Sequence, residues 1–229
     1  MNIHRIAEDI HVSGMIARTG VWESAQIELF TKMLIKYPSA LVIDIGINIG
    51  MYALVAAANN HRVIGFEPLQ KNLNVLCSSI NNNRWNNLIT VYNVALTNKR
   101  TKVSFRTPYE NAGGTEVYDN DGLHGTLNKD YANAYPFDDF DIVHASPIIM
   151  KIDIEGHECQ LFESSENFFK NNNVVIIFME WGNLAQKCGR TVADKLYGYG
   201  LIPYREDGMK RLSIIDRPWL NVWDTVWRG

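Results

Sequence analysis

Residues 40–50 read ALVIDIGINIG, and this stretch constrains the fold more than any other. Its first half is a continuous apolar run rich in β-branched residues, the pattern of a strand buried on both faces. Gly46 then breaks the run, and Gly50 opens MYALVAAA, which reads as a helix. A strand buried on both faces needs helices above and below it, so the chain belongs among the α/β folds.

The rest of the chain agrees. Residues 22–37 (WESAQIELFTKMLIKY) carry apolar groups at helical spacing, and Pro38 ends them. Residues 62–66 and 88–92 read as strands, with a helix between them at 69–80. A fourth strand is expected at 148–153, a helix near 158–170, and a fifth strand at 174–179. Right-handed crossovers between these strands give a doubly wound, mostly parallel sheet. Residues 201–205 and 211–215, around Asp207-Gly208, read as an antiparallel pair at one edge. The alternation breaks after Ala95. Residues 102–105 alternate like an edge or hairpin strand, and residues 107–146 show no clear periodicity. An irregular insert of that length is functional or mobile as a rule. The length of 229 residues suits one domain over 1–229, with an N-terminal helical segment at about 1–38 and the insert at about 107–146.

Composition excludes several classes. The net charge of −3 and the lack of any Lys/Arg cluster argue against a nucleic-acid surface. No apolar run approaches the length of a membrane helix, and the N-terminus lacks a signal pattern. The three cysteines, Cys77, Cys159 and Cys188, form no metal-binding spacing and read as reduced. No Asn-x-Ser/Thr sequon occurs. A soluble, cytoplasmic protein is expected.

Ligands on such sheets bind beyond the carboxyl ends of the strands, near the switch in strand order. The first strand ends in Asp44-Ile-Gly-Ile-Asn-Ile-Gly50. A nicotinamide dinucleotide would need a glycine where Asn48 stands, because the backbone there approaches a pyrophosphate. Asn48 and the acidic Asp44 fit a cationic cofactor without pyrophosphate, such as S-adenosylmethionine; a purely structural turn is the alternative. The second strand ends in Glu67-Pro68, where a carboxylate can accept from two ribose hydroxyls. A solvated loop glutamate is the alternative there. The fourth ends in KIDIEGHE, residues 151–158, which places Asp153, Glu155 and His157 as candidates for a general base. Glu155, His157 and Glu158 can equally cap the next helix.

At this point a resemblance becomes visible. IDIGINIG at 43–50, GFEPLQKNL at 65–73, NVALTN at 93–98 and MKIDIEGHE at 150–158 occur in that order, with GGT at 113–115 and FMEW at 178–181. Together they resemble the FkbM family of S-adenosylmethionine-dependent methyltransferases. The resemblance implies a class I, Rossmann-like methyltransferase sheet and O-methylation of hydroxyls on sugars, glycolipids or polyketides. It implies that Asp44, Gly46, Asn48 and Gly50 surround the methionine part of the cofactor. Glu67 would bind the ribose, and Leu69, Asn93 and Val94 would flank the adenine. Asp153 would border the cofactor, and Asp153 and Glu155 would face the methyl-transfer region.

The resulting expectation is an O-methyltransferase acting on a saccharide or glycoconjugate hydroxyl. The rivals are an O-methyltransferase of a polyketide or small alcohol, a nicotinamide-dependent oxidoreductase, and a non-catalytic nucleoside-binding module. Tyr109, Asn111, Tyr118, Asn120, His124 and Asn128 of the insert mix flat faces with hydrogen-bonding groups, as a sugar ring requires. Residues 111–115 could form an anion nest, although a hairpin turn is the default. The tryptophans of 217–227 read as a strand covering the core rather than an acceptor wall. Trp22 and Glu23 open a helix that could close over the cofactor. Asp153, Glu180 and Asn183 could hold a divalent metal, a reading less favoured than a metal-free site.

Overall fold

The computed structural model describes residues 1–106, 116–119, 131–205, 211–212 and 224–229. Helices α1 (Val12–Thr19) and α2 (Ser24–Lys36) precede strand β1 (Leu41–Ile45). Then follow α3 (Met51–Ala58), β2 (Val63–Phe66), α4 (Gln70–Asn83) and β3 (Ile89–Tyr92). After the insert come β8 (Ile148–Ile152), α5 (Glu158–Glu163), α6 (Glu166–Asn171), β9 (Val174–Glu180), α7 (Gly182–Lys187), α8 (Gly189–Gly198), β10 (Ile202–Arg205) and β11 (Asp224–Arg228).

The main sheet has the order β10-β11-β9-β8-β1-β2-β3 among the described residues. Pairing is parallel from β3 through β9, and β11 runs antiparallel to both β9 and β10. This is the α/β class I methyltransferase arrangement, mostly parallel with reversal at one edge. The chain moves outward from β1 to β3 and then returns to place β8 on the other side of β1. The switch in strand order therefore lies between β1 and β8.

Every residue of β1 is buried. Alternation sends Leu41, Ile43 and Ile45 to one face, with Met150, Ile152 and Trp181. Val42 joins the other core, with Phe30, Leu34, Tyr52 and Phe178. Phe30 stands edge-on to Tyr52 and Phe178, with centroids 5.1 and 5.6 Å away. Each such fully buried side chain contributes about 1.5–3 kcal/mol, and together they hold α2 and α3 on this face.

Three expectations need correction. The insert carries regular structure: its strands β6 (Glu116–Asp119) and β7 (Tyr131–Tyr135) join β4 (Ala95–Leu96) and β5 (Thr101–Arg106), the edge strand expected at 102–105, in a second sheet of order β4-β7-β5-β6. Its core is Leu69, Ala95, Val103, Phe105, Ala132 and Ala134. The single helix expected at 158–170 is two helices. The Asp138 carboxylate accepts from the backbone N–H of Asn167 and Phe168 at 2.9 and 2.8 Å. Ser164 meanwhile accepts from Phe137 N–H and donates to the Thr97 carbonyl. Both devices favour a new helix start over continuation. The strand at 202–205 pairs with 224–228 on one side; of its expected partner at 211–215, Arg211 meets Tyr204 in an antiparallel bridge and Leu212 N–H donates to the Pro203 carbonyl, while 213–215 lie outside the described residues. Finally, Cys159 and Cys188 are joined in a disulfide, so the reading of three reduced cysteines does not hold; Cys77 is free and exposed.

The C-terminal strand does cover the core, with Trp227 fully buried against Trp181. Residues 107–115, which include Tyr109, Asn111 and the anion-nest loop, lie outside the described residues, as do Asn120, His124, Asn128, Trp219 and Trp223. No helix among the described residues is long and apolar enough to cross a membrane.

Candidate active site

The turn after β1 is tied to both neighbouring strands. Gly46 and Ile47 N–H donate to the Phe66 carbonyl at 3.0 Å each, and Asp153 N–H donates to the Ile45 carbonyl at 2.9 Å. Gly46 has φ +80, and a Cβ there would lie 1.7 Å from the Asp153 carbonyl oxygen. Gly50, with φ +90, starts α3 and leaves no room for a Cβ beside Leu76. Between them Asn48 adopts φ 51, a left-handed conformation that asparagine tolerates. That conformation sends its backbone N–H to Glu67 Oε2 at 2.9 Å.

Glu67 is not a solvated loop residue. It is buried, and its other oxygen accepts from Leu69 N–H at 3.0 Å and Asn72 Nδ2 at 3.1 Å. Burial pushes its carboxyl up to about 7 despite these donors. Asn72 in turn meets the ring of His4 at 2.9 Å, so the N-terminal segment braces Glu67 from behind.

Asp44 and Lys151 are register partners on β1 and β8. Asp44 is 2% exposed, and its Oδ2 has no hydrogen-bond partner among the described residues. Burial pushes this carboxyl up to about 7, against the pull of the Lys151 charge. Lys151 lies within an otherwise apolar strand and is 3% exposed. Its Nζ is 3.3 Å from Asp153 Oδ2 and 3.4 Å from Glu23 Oε2, and 5.0 Å from the centre of the Tyr52 ring. Burial alone would lower its basicity, but Asp153, Glu23, Tyr52 and Asp224 outweigh it and hold the ammonium well above the ordinary lysine range. Tyr52 donates its hydroxyl to Glu23 Oε2 at 2.5 Å.

These groups line one cleft of about 770 Å³, part of it open to solvent, above the switch between β1 and β8. Asp44, Gly46, Asn48, Gly50, Glu67, Leu69, Asp153 and Glu155 all face it, as do Trp22 and Glu23 from the start of α2. Three expected residues stand elsewhere. Val94 and His157 line a smaller, mostly apolar cavity of about 280 Å³ that shares Gly46, Pro68 and Ile154 with the cleft. Asn93 is a strut whose Nδ2 donates to the Glu67 and Pro68 carbonyls at 3.0 Å each. His157 stands in that smaller cavity, at the start of α5. Glu158, the first residue of α5, is fully buried and accepts from the N–H groups of Ile154 and Gly156, so it holds the loop ahead of the helix.

Glu180, at the end of β9, is buried, and its carboxyl is pushed up to about 9. Burial is the largest cause, followed by Asp153, Glu155, Glu158 and Asp224. No group of three His, Cys, Asp or Glu among the described residues is placed to hold a metal ion. The Asn183 side chain of the expected metal set lies outside them.

Sequence reasoning missed Lys151 and Tyr52 and gave Glu23 only a general role. The available signal was the lysine of IIMKI: a cation inside a strand buried on both faces needs carboxylate partners nearby.

The cleft suits S-adenosylmethionine. Among the described residues that line it are five carboxylates, of Glu23, Asp44, Glu67, Asp153 and Glu155, and one cation, Lys151, and the buried Asp44 oxygen points to a missing donor or positive charge. A cofactor bearing a sulfonium and an ammonium group supplies both.

The methyltransferase FkbM domain model matches residues 44–196. Among solved structures, an FkbM methyltransferase from Methylobacillus flagellatus KT is similar at 16% identity and TM-score 0.52, covering 83% of this chain. This chain spans 44% of that protein's length. A precorrin-6y C5,15-methyltransferase from Geobacter metallireducens GS-15 is similar at 10% identity and TM-score 0.48, covering 89% of this chain and 86% of its own. No curated protein sequence matches. The cleft at the switch point, the acid-lined turn and a family match over most of the chain converge: the chain belongs to the FkbM family of S-adenosylmethionine-dependent methyltransferases.

Proposed function

We propose that this protein transfers a methyl group from S-adenosylmethionine to a hydroxyl of a saccharide or glycoconjugate. The observation that carries this reading is Asp153. Its side chain is about one-third exposed, at 31%, while Lys151 and Asp44 beside it are buried, so an acceptor entering the cleft can reach it.

In this reading Asp44 and the turn from Gly46 to Gly50 hold the methionine part of the cofactor. Glu67 and its backbone donors hold the ribose, with Leu69 beside the adenine. S-adenosylmethionine, when bound, supplies an electrophilic methyl group on a sulfonium. An alcohol is a weak nucleophile near neutral pH, so the chain must align its oxygen and remove its proton. Asp153 takes that proton, and Glu155, two residues on and facing the same cleft, binds a neighbouring hydroxyl. A cleft rich in carboxylate acceptors suits an acceptor that offers several hydroxyl donors.

Two measurements test this. Calorimetry with S-adenosylmethionine, its demethylated product and NAD should give binding of the first two only. A panel of glycans incubated with the protein and S-adenosylmethionine should yield one whose mass rises by a single methyl group. Transfer to RNA, DNA or a protein side chain, with none to any glycan, overturns the acceptor assignment. Transfer to a polyketide or simple alcohol alone moves it to that class.

A further inference from the structure

The family match begins at residue 44, yet Glu23 reaches the cleft from the segment ahead of it. Glu23 adopts φ 51, a left-handed conformation uncommon for a non-glycine residue, at the start of α2. Its side chain is fixed from two sides, by the Tyr52 hydroxyl at 2.5 Å and by Lys151 Nζ at 3.4 Å. The same ammonium is 3.3 Å from Asp153. One buried cation is therefore shared by two carboxylates, and only Asp153 is read as a proton acceptor.

The arrangement has a chemical consequence. In a simple buried Lys–Asp pair, proton uptake by the aspartate strands the ammonium in a low-dielectric site, which opposes the transfer. With a second carboxylate on the same ammonium, and the charge of Asp224 acting on it as well, the ammonium keeps an anionic partner after the transfer. We propose that Glu23 and Lys151 are positioning residues for Asp153: they hold its carboxylate toward the cleft and keep the buried ammonium paired when Asp153 takes the acceptor's proton. The proposal rests on the reading of Asp153 as the base. The proton passes from the acceptor hydroxyl to Asp153 Oδ while Lys151 remains charged and paired with Glu23. Tyr52 keeps its own proton, because burial above all holds its hydroxyl well above the ordinary tyrosine range.

The charged and titratable groups around Asp153 are Lys151 on β8, Glu23 and Tyr52 from the helices above, Asp44 on β1, Glu180 on β9, Glu158 on α5 and, acting on Lys151 and Glu180, Asp224 on β11. Of these, Lys151 and Glu23 act in opposite directions, which makes the proposal testable without the acceptor. The full chain is labelled with ¹³C at aspartate side-chain carboxyls and titrated by NMR. The Asp153 signal is identified as the one lost in Asp153→Asn. Glu23→Gln should lower the Asp153 midpoint by about one pH unit, and Lys151→Met should raise it by about one unit. Lys151→Arg should restore it to near the wild-type value. If Lys151→Met does not fold, the isosteric Glu23→Gln decides. An unmoved midpoint in Glu23→Gln, or shifts of the same sign in both variants, overturns the proposal. Full methyl transfer by Asp153→Asn would instead remove Asp153 as the base and leave the titration result standing.

Discussion

Gly46 and Asp153 meet backbone to backbone: a Cβ at residue 46 would sit 1.7 Å from the Asp153 carbonyl oxygen. The contact joins the two strand ends that flank the switch point, and Asp153 N–H closes it with a hydrogen bond to the Ile45 carbonyl. Gly46→Ala must push β8 away and also strain a residue at φ +80. We expect a stability loss of about 2–4 kcal/mol, together with loss of cofactor binding. Thermal denaturation and calorimetry would show both. A variant that binds normally would mean that the two strand ends can separate at no cost to the site.

Glu67→Ala removes the carboxylate that collects the N–H groups of Asn48 and Leu69 and the amide of Asn72. S-adenosylmethionine binding should weaken by about 1.5–3 kcal/mol through lost charge-assisted hydrogen bonds. Calorimetry gives the number directly. Unchanged affinity would take Glu67 out of the cofactor site and leave it a brace for the turn.

Asp44 and Glu67 have folded-state carboxyls near 7, raised by burial above their unfolded values. Raised groups favour the folded state fully below the unfolded pKa, and that contribution is lost as pH rises through the folded value. The ligand-free protein should therefore melt at a lower temperature at about pH 8 than at about pH 5.5. A cationic cofactor favours the ionised carboxylates, so its binding should tighten over the same range and release protons. Calorimetry in buffers of different ionisation enthalpy reads that release. Binding with proton uptake would contradict the raised carboxyls.

The Cys159–Cys188 disulfide fastens the start of α5 to the start of α8. Next to it, Lys187 Nζ donates to the Gly156 carbonyl at 3.1 Å, on the loop that carries Glu155. Closing this 29-residue separation should add about 2–4 kcal/mol of stability by restricting the unfolded chain. A thiol reductant or Cys159→Ser should lower the melting temperature accordingly. Equal melting curves with and without reductant would show that the bond contributes nothing to stability.

What was legible in the sequence was local. The run ALVIDI, buried along its whole length, sets β1, and the glycines at 46 and 50 mark its turn. Strand and helix then alternate at lengths that leave one sheet class. Asp44, Glu67 and Asp153 each stand at a strand end, which is where a doubly wound sheet gathers its ligands. The rest depends on contacts between distant residues. Nothing near Cys159 points to Cys188, and nothing near the strand at 202–205 points to its pairing with 224–228. The second sheet joins residues 95–96 to 134–135 across an apparently irregular insert. The helix break at 164–165 is set by Asp138, and Lys151 becomes interpretable only when Glu23 arrives from the other end of the chain.

The assignment of the base separates Asp153 from His157, the two groups that a sequence reading places four residues apart. Asp153 faces the main cleft and pairs with Lys151, whereas His157 lines the smaller cavity at the start of α5. Asp153→Asn keeps the side chain's shape and a hydrogen bond to Lys151 but removes the proton acceptor. Turnover with the acceptor found in the glycan screen should fall by about 100-fold or more, with cofactor affinity changed far less. His157→Ala should cost well under 10-fold if histidine is no base, a roughly 1.4 kcal/mol limit on its part in the transition state. EDTA should leave the rate unchanged. Loss of activity on chelation, restored by Mg²⁺, would recast Asp153 as a metal ligand, and an active Asp153→Asn beside a dead His157→Ala would transfer the role to the histidine.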